Sequence, residues 1–126
     1  MAASNKPRHV LERALKPLVT AHPKWRIIPY QRNVDALSGV IVMLKQKRIT
    51  RLPEAPDGLH AIEFTATIVS PKTDTTAAED ELDDGVNALI HELDLAGIGW
   101  ADAEKVKFDD QHLAYDITLT VTSNKE

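Results

Sequence analysis

The sequence predicts a single α+β domain: a mainly antiparallel β-sheet with two helices packed on one face, in the order α-β-β-β-α-β-β. Three observations predict it. Thr75 to Gly97 repeats its apolar residues at the helical period, Pro7 to about Ala21 does so more briefly, and Leu59 to Ser70 and Leu113 to Thr122 alternate at the strand period. With 126 residues, 43% of them hydrophobic and 27% charged, the chain is too apolar for general disorder and too short for two comfortable domains. Residues 1–126 are therefore read as one domain, with 1–6 and 123–126 as flexible tails.

In the first helix Pro7 takes the tolerated first position, and Val10, Leu11, Leu15, Leu18 and Val19 fall on one side. Pro17 lacks an N–H and clashes with the preceding turn, so the helix is expected to kink there or to end just before it. His22 and Pro23 mark a break. Lys24 to Tyr30 then reads as a short strand, with Trp25 and Ile27 on one face and Pro29 pointing to an edge position. Gln31 to Gly39 is a connection rich in Asn, Asp, Ser and Gly.

Val40 to Arg51 is the next strand. Its continuous apolar start, Val40 to Leu44, suggests cover on both faces. The polar continuation KQKRITR is expected to leave the core for solvent or a partner, with Lys45 and Lys47 on one face and Arg48 on the other. Pro53 to Gly58 is a turn by its two prolines and its Asp-Gly pair. Leu59 to Ser70 follows with Ile62, Phe64, Ala66 and Ile68 inward, and the two strands make an antiparallel pair.

The helix of Thr75 to Gly97 carries Leu82, Val86, Leu89, Ile90 and Leu93 as one stripe. Burying five aliphatic side chains stabilises by roughly 1.5–3 kcal/mol each as an upper estimate, so this face must lie on the sheet. Thr76 with Glu79 fits a capping box, and Gly97 suits the left-handed residue that closes a helix. Gly85 costs about 1 kcal/mol relative to Ala unless a close neighbour requires it. After this helix, Glu104 to Phe108 reads as a strand, FDDQH as a turn, and Leu113 to Thr122 as the last strand, with Leu113, Tyr115, Ile117, Leu119 and Val121 on one face.

There is no cysteine, which excludes a disulfide framework and thiolate chemistry and suits reducing cytoplasm. The first residues lack the apolar run of a signal peptide, and no stretch is long and apolar enough to span a bilayer. Net charge is −4, which argues against an autonomous DNA-binding domain. Residues 1–60 hold 11 basic and 4 acidic side chains, whereas residues 61–126 hold 4 basic and 15 acidic. Either folding mixes the halves on one surface, or one face is basic and another acidic, as head-to-tail association of identical subunits would use.

Catalytic signatures are nearly absent. No P-loop occurs, Gly97 and Gly99 follow a helix rather than opening one, and Ser4, Ser38, Ser70 and Ser123 have no nucleophile-elbow glycines. Asp80 and Asp84 lie one helical turn apart, as do Asn87 and His91, a spacing that suits either a shared cation or a solvated acidic face. The five histidines show no zinc spacing. Lys24, Arg26, Arg32, Lys45, Lys47, Arg48 and Arg51 could build a basic patch near phosphates, but only 5% of residues are aromatic, so the interleaving that stacks bases is missing. Trp25, Tyr30 and Trp100 read as packing residues or interface anchors.

The runs IIPYQRNVDALSGVIVMLKQKRITRLPEAP, DELDDGVNALIHELD and WADAEKVKFDDQHLAYDITLTV resemble the tail terminator proteins of long, non-contractile-tailed bacteriophages, especially those infecting actinobacteria. The resemblance covers residues 8 to 122 and rests on overall pattern rather than on a catalytic signature. It implies a small α+β virion protein, not an enzyme, with no catalytic residue, cofactor or metal. It implies a hexameric ring at the head-tail junction that caps the tail tube, stops its polymerisation and presents the joining surface of the neck.

The implied partners are further copies of the chain, the tail-tube protein and the head-completion protein, with no membrane. DNA would pass through the ring without sequence-specific binding. The chain would be made in the host cytoplasm. In such a ring Arg32, Lys47, Arg48 and Arg51 would meet Asp80, Glu81, Asp84 or Asp109 of a neighbour. The loops Gln31 to Ser38, Pro53 to Gly58 and Pro71 to Thr75 are places to contact tube or head. Three alternatives stay open: a head-completion or other neck protein; a cellular binding module with a solitary exposed strand edge, which would be a monomer or dimer; and, more remotely, a small metal-dependent enzyme using Asp80, Asp84 and His91.

Overall fold

The computed structural model describes residues 7–29, 39–51, 59–109 and 111–124. The chain runs α1 (Pro7–Ala21), β1 (Arg26–Ile28), β2 (Ile41–Arg51), β3 (Leu59–Val69), α2 (Thr75–Leu95), β4 (Gly99–Lys107) and β5 (Leu113–Asn124), the α+β order expected. The strands form one sheet ordered β1-β2-β3-β5-β4. β1 runs parallel to β2, and every other pairing is antiparallel. Tyr30 and the loops Gln31 to Ser38 and Pro53 to Gly58 lie outside the described residues.

Both helices pack on one face. There Val42, Leu44, Phe64, Ala66, Ile68, Ile117 and Leu119 form a single buried cluster with Leu11, Leu15, Leu18, Leu82, Leu89 and Leu93 of the helices. Ile41 and Met43 point the other way and are buried too, so the apolar start of β2 is covered on both faces as its composition predicts. On that second face Thr67, almost fully buried, donates its hydroxyl hydrogen to Asp116 Oδ1 at 2.6 Å.

α1 has the bounds expected and continues through Pro17, so of the two outcomes expected for that proline the helix does not end before it. Pro17 is exposed, and Leu11, Leu15 and Leu18 are buried beneath it. Three buried leucines contribute roughly 1.5–3 kcal/mol each, enough to offset the ~3 kcal/mol cost of an interior proline. The buried stripe is narrower than the sequence suggested, because Val10 stands 38% exposed on its flank.

α2 starts differently from the capping box expected. Asp74, not Thr76, is the N-cap, and its Oδ2 accepts from the Ala77 N–H at 2.9 Å. A carboxylate one residue outside the helix also gains from the helix dipole, which Thr76 would not. Glu79 is thereby free to reach across to Lys105 on β4. The other end is as predicted. Gly97 has φ +72, its N–H donates to Asp94 O at 3.1 Å, and the Ile98 N–H donates to Leu93 O at 2.9 Å, the bond pair of a Schellman motif.

Two glycines have close neighbours, of different kinds. A Cβ on Gly85 would lie 3.0 Å from Ile68 Cδ1, the far end of a side chain, and 3.5 Å from the Trp25 ring, an ordinary contact. A Cβ on Gly39 would lie 2.2 Å from the Lys24 carbonyl oxygen, a clash with backbone that only glycine avoids. This lets the Arg26 N–H reach Val40 O at 3.0 Å and begin the parallel pairing.

Strand bounds shift in three places. β1 is Arg26–Ile28, shorter than the Lys24 to Tyr30 expected, because its pairing with β2 runs only from Arg26 opposite Ile41 to Ile28 opposite Met43. β4 begins at Gly99 rather than Glu104, because an irregularity between Trp100 and Ala103 breaks the alternation that would have revealed it. β5 runs on to Asn124, with Ser123 opposite His60.

Candidate subunit interface

The sheet order has an electrostatic result. α1, β1 and β2, from the basic half of the chain, form one side of the molecule; α2, β5 and β4, from the acidic half, form the other, with β3 between them. Folding therefore does not mix the two halves. β1 is the free edge on the basic side and β4 the free edge on the acidic side, and among the described residues each pairs with one strand only.

Within this frame the predicted interface residues separate into groups. Arg32 lies outside the described residues, and Arg51 ends β2 opposite His60 of β3. Lys47 is exposed at a register shift between Gln46 and Arg48. The extra residue turns Arg48 onto the face that carries Lys45, contrary to the strand-period expectation, because one inserted residue inverts every side chain beyond it. Arg48 Nε then lies 3.8 Å from Glu63 Oε2, its cross-strand neighbour in the same chain.

On the acidic side, Asp80 and Asp84 stand exposed on α2. Glu81 and Asp109 have work within the chain. Glu81 Oε1 accepts from the buried Ser70 hydroxyl at 2.6 Å, and its Oε2 lies 3.9 Å from Lys72 Nζ. Asp109 Oδ1 accepts the Gln111 and His112 backbone N–H groups, both at 2.8 Å, and His112 Nδ1 lies 2.8 Å away. These bonds, the Gln111 N–H foremost, hold the Asp109 carboxyl below its ordinary value, while the bond to Glu79 holds the Lys105 ammonium above its own. Among the ion pairs of the described residues, none joins Lys47 or Arg48 to Asp80, Glu81, Asp84 or Asp109.

Three features escaped the sequence reading. Leu95, at the end of α2, is a large apolar residue 69% exposed; Trp100, singled out in the sequence, is 37% exposed at the start of β4, and its Nε1 donates to Asp94 Oδ1 at 3.0 Å. Leu95 could have been found as the apolar residue off the helical stripe. The Asp74 cap could have been found two residues before the Thr76 that opens the expected box. The Glu79 to Lys105 bridge has no sequence signal, since it depends on where β4 lies. Trp25 proves to be a core residue, stacked on His22 with ring centroids 4.5 Å apart.

Among the described residues, no three His, Asp or Glu side chains come together in a way that could hold a metal ion, and Asp80, Asp84 and His91 form no such group. No helix among them is long and apolar enough to cross a membrane. Comparison with known proteins is silent beyond this point: no protein-family model matches the chain, and a search of curated proteins finds no match.

Proposed function

We propose that this chain is a structural protein of a bacteriophage virion, the tail terminator of a long, non-contractile tail. Copies join head to tail in a ring, hexameric as in the family the sequence resembles. The ring caps the tail tube, stops its polymerisation and offers the head-completion protein its joining surface.

The observation that carries this reading is the separation of basic and acidic elements to opposite edges of one sheet. A ring closes when each subunit offers two different patches related by a rotation, and the side built from α1, β1 and β2 differs in charge from the side that carries α2. Exposed ion pairs contribute only about 0–1 kcal/mol each, so charge sets register while apolar contacts supply affinity. Because Arg48 has Glu63 beside it and Glu81 and Asp109 bond internally, Lys47 with Asp80 or Asp84 is the better intersubunit pair. A net charge of −4 suits a lumen through which DNA passes without being gripped.

The test is negative-stain microscopy of the protein mixed with tail-tube protein, with tube length recorded. Tubes held short, each with a ring at one end, are the expected result. Unchanged tube lengths and bare ends would remove the terminator reading and leave a head-completion role, whose signature is binding on the portal side instead.

A further inference from the structure

We propose that the two edges of the sheet are two halves of one contact between copies of this chain: the β4 edge with the adjoining end of α2 docks into the groove between α1 and β1 of the next copy. This locates the subunit contact of the ring-forming reading and rests on that reading only for the closure of the ring.

The groove measures about 510 Å³, within the ~300–1,000 Å³ range of sites that enclose a whole small ligand. Its floor is apolar, made by Val19, Trp25 and Ile27, and Lys16 and Arg26 stand exposed on its rim. Glu12 also lines it. The opposite edge has the complementary composition. Leu95 and Trp100 form its apolar part, and Asp102 and Glu104 are exposed along β4.

A charged edge strand by itself is explained by protection against unwanted pairing. The exposed Leu95 and Trp100 are not, since an edge that only repels neighbours gains nothing from a large apolar pair beside it. The Trp100 bond to Asp94 fixes the indole before contact, so less side-chain freedom is lost on docking. Of the two cations on β4, Lys105 is already held by Glu79 and Lys107 ends the strand, at the opposite end from Trp100, so Asp94, Asp102 and Glu104 keep the Trp100 end of the edge acidic. The two surfaces lie at opposite ends of the strand order, so no copy can satisfy its own, and the contact is heterologous.

The test uses two charge-reversed variants of the full chain: Lys16→Glu with Arg26→Glu in the groove, and Asp102→Lys with Glu104→Lys on the edge. Sedimentation velocity without tube protein reads their association. Each variant alone is expected to associate at least about a hundredfold more weakly than the wild type, because like charges face each other. Mixed in equal amounts they are expected to recover association, since each reversed surface then meets its complement. Variants that associate alone as the wild type does, or a mixture that does not recover, would overturn the proposal.

The cysteine-free chain allows a second readout at high concentration, whether or not the wild type is assembled in dilute solution. Val19→Cys and Asp102→Cys in one chain should give a disulfide ladder under mild oxidation. Linkage of the Asp102→Cys single variant to itself would reveal a two-fold dimer and overturn the proposal, as would the absence of a ladder. Loss of tube capping by the groove variant with self-association intact would assign the groove to the tube protein instead. Failure of these tests alongside normal tube capping refutes this contact and leaves the terminator reading standing.

Discussion

Ser70 donates its hydroxyl hydrogen to Glu81 Oε1 at 2.6 Å, from a fully buried position at the end of β3 to the second turn of α2. Ser70 Oγ in turn accepts the Lys72 backbone N–H at 3.2 Å, so one hydroxyl anchors both the turn and the helix that leaves it. Ser70→Ala removes both bonds and should cost about 1–3 kcal/mol in urea unfolding, because a charge-assisted bond is lost and the Lys72 N–H is orphaned. Glu81→Gln keeps an acceptor and should cost less than Ser70→Ala. A larger loss for Glu81→Gln would show that its charge, through Lys72, matters more than the bond to Ser70.

Gly39→Ala places a methyl group against the Lys24 carbonyl, where neither backbone can easily give way. Destabilisation of about 3 kcal/mol or more is expected, above the usual range for overpacking. Gly85→Ala meets only the far end of the Ile68 side chain and gains ~1 kcal/mol of helix propensity, so its midpoint in a urea melt should fall within about 1 kcal/mol of wild type. Comparable losses for the two substitutions would contradict the geometry at Lys24.

Asp74→Ala should cost about 1 kcal/mol by removing the N-cap, while Thr76→Ala should be nearly silent. Thermal melts of the two variants separate the cap seen here from the box expected of Thr76 and Glu79. The reverse ranking would move the start of α2 by two residues.

The turn between β4 and β5 carries a pH signature. The Asp109 carboxyl is held below its ordinary value of 3.8, chiefly by the Gln111 backbone N–H and further by His112. A depressed carboxylate contributes stability that is complete above the unfolded value and lost as pH falls through the folded one. Carbon-detected NMR titration should therefore find Asp109 still ionised at pH 3.8, with the Gln111 and His112 amides protected until it protonates. An Asp109 midpoint at or above 3.8 would mean that the turn is open in solution.

Periodicity made most of this fold legible. The leucines of α2 and the alternation of β3 and β5 identify their elements because each has one apolar and one polar face. β4 was half missed because its residues are nearly all exposed, so no burial pattern was written into them. Pro17 left two outcomes open in the sequence because local helix chemistry disfavours it, and the packing of Leu11, Leu15 and Leu18 decides that the helix continues. The face of Arg48 depended on a single inserted residue in β2, which sequence alternation cannot register. Charge segregation was visible as an imbalance between the halves, but its meaning waited on strand order. Had β4 been inserted beside β2, the same residues would have cancelled.

That strand order has one more outcome. Because charge along the chain becomes charge across the sheet, an isolated molecule carries a permanent in-plane electric dipole, pointing from the β4 side to the β1 side. In 0.01 M salt, where fields extend about 30 Å, an approaching charged surface feels a torque before contact; at 1 M, where they extend about 3 Å, it does not. Arrival is thus oriented or random according to ionic strength alone, with every atom of the fold unchanged.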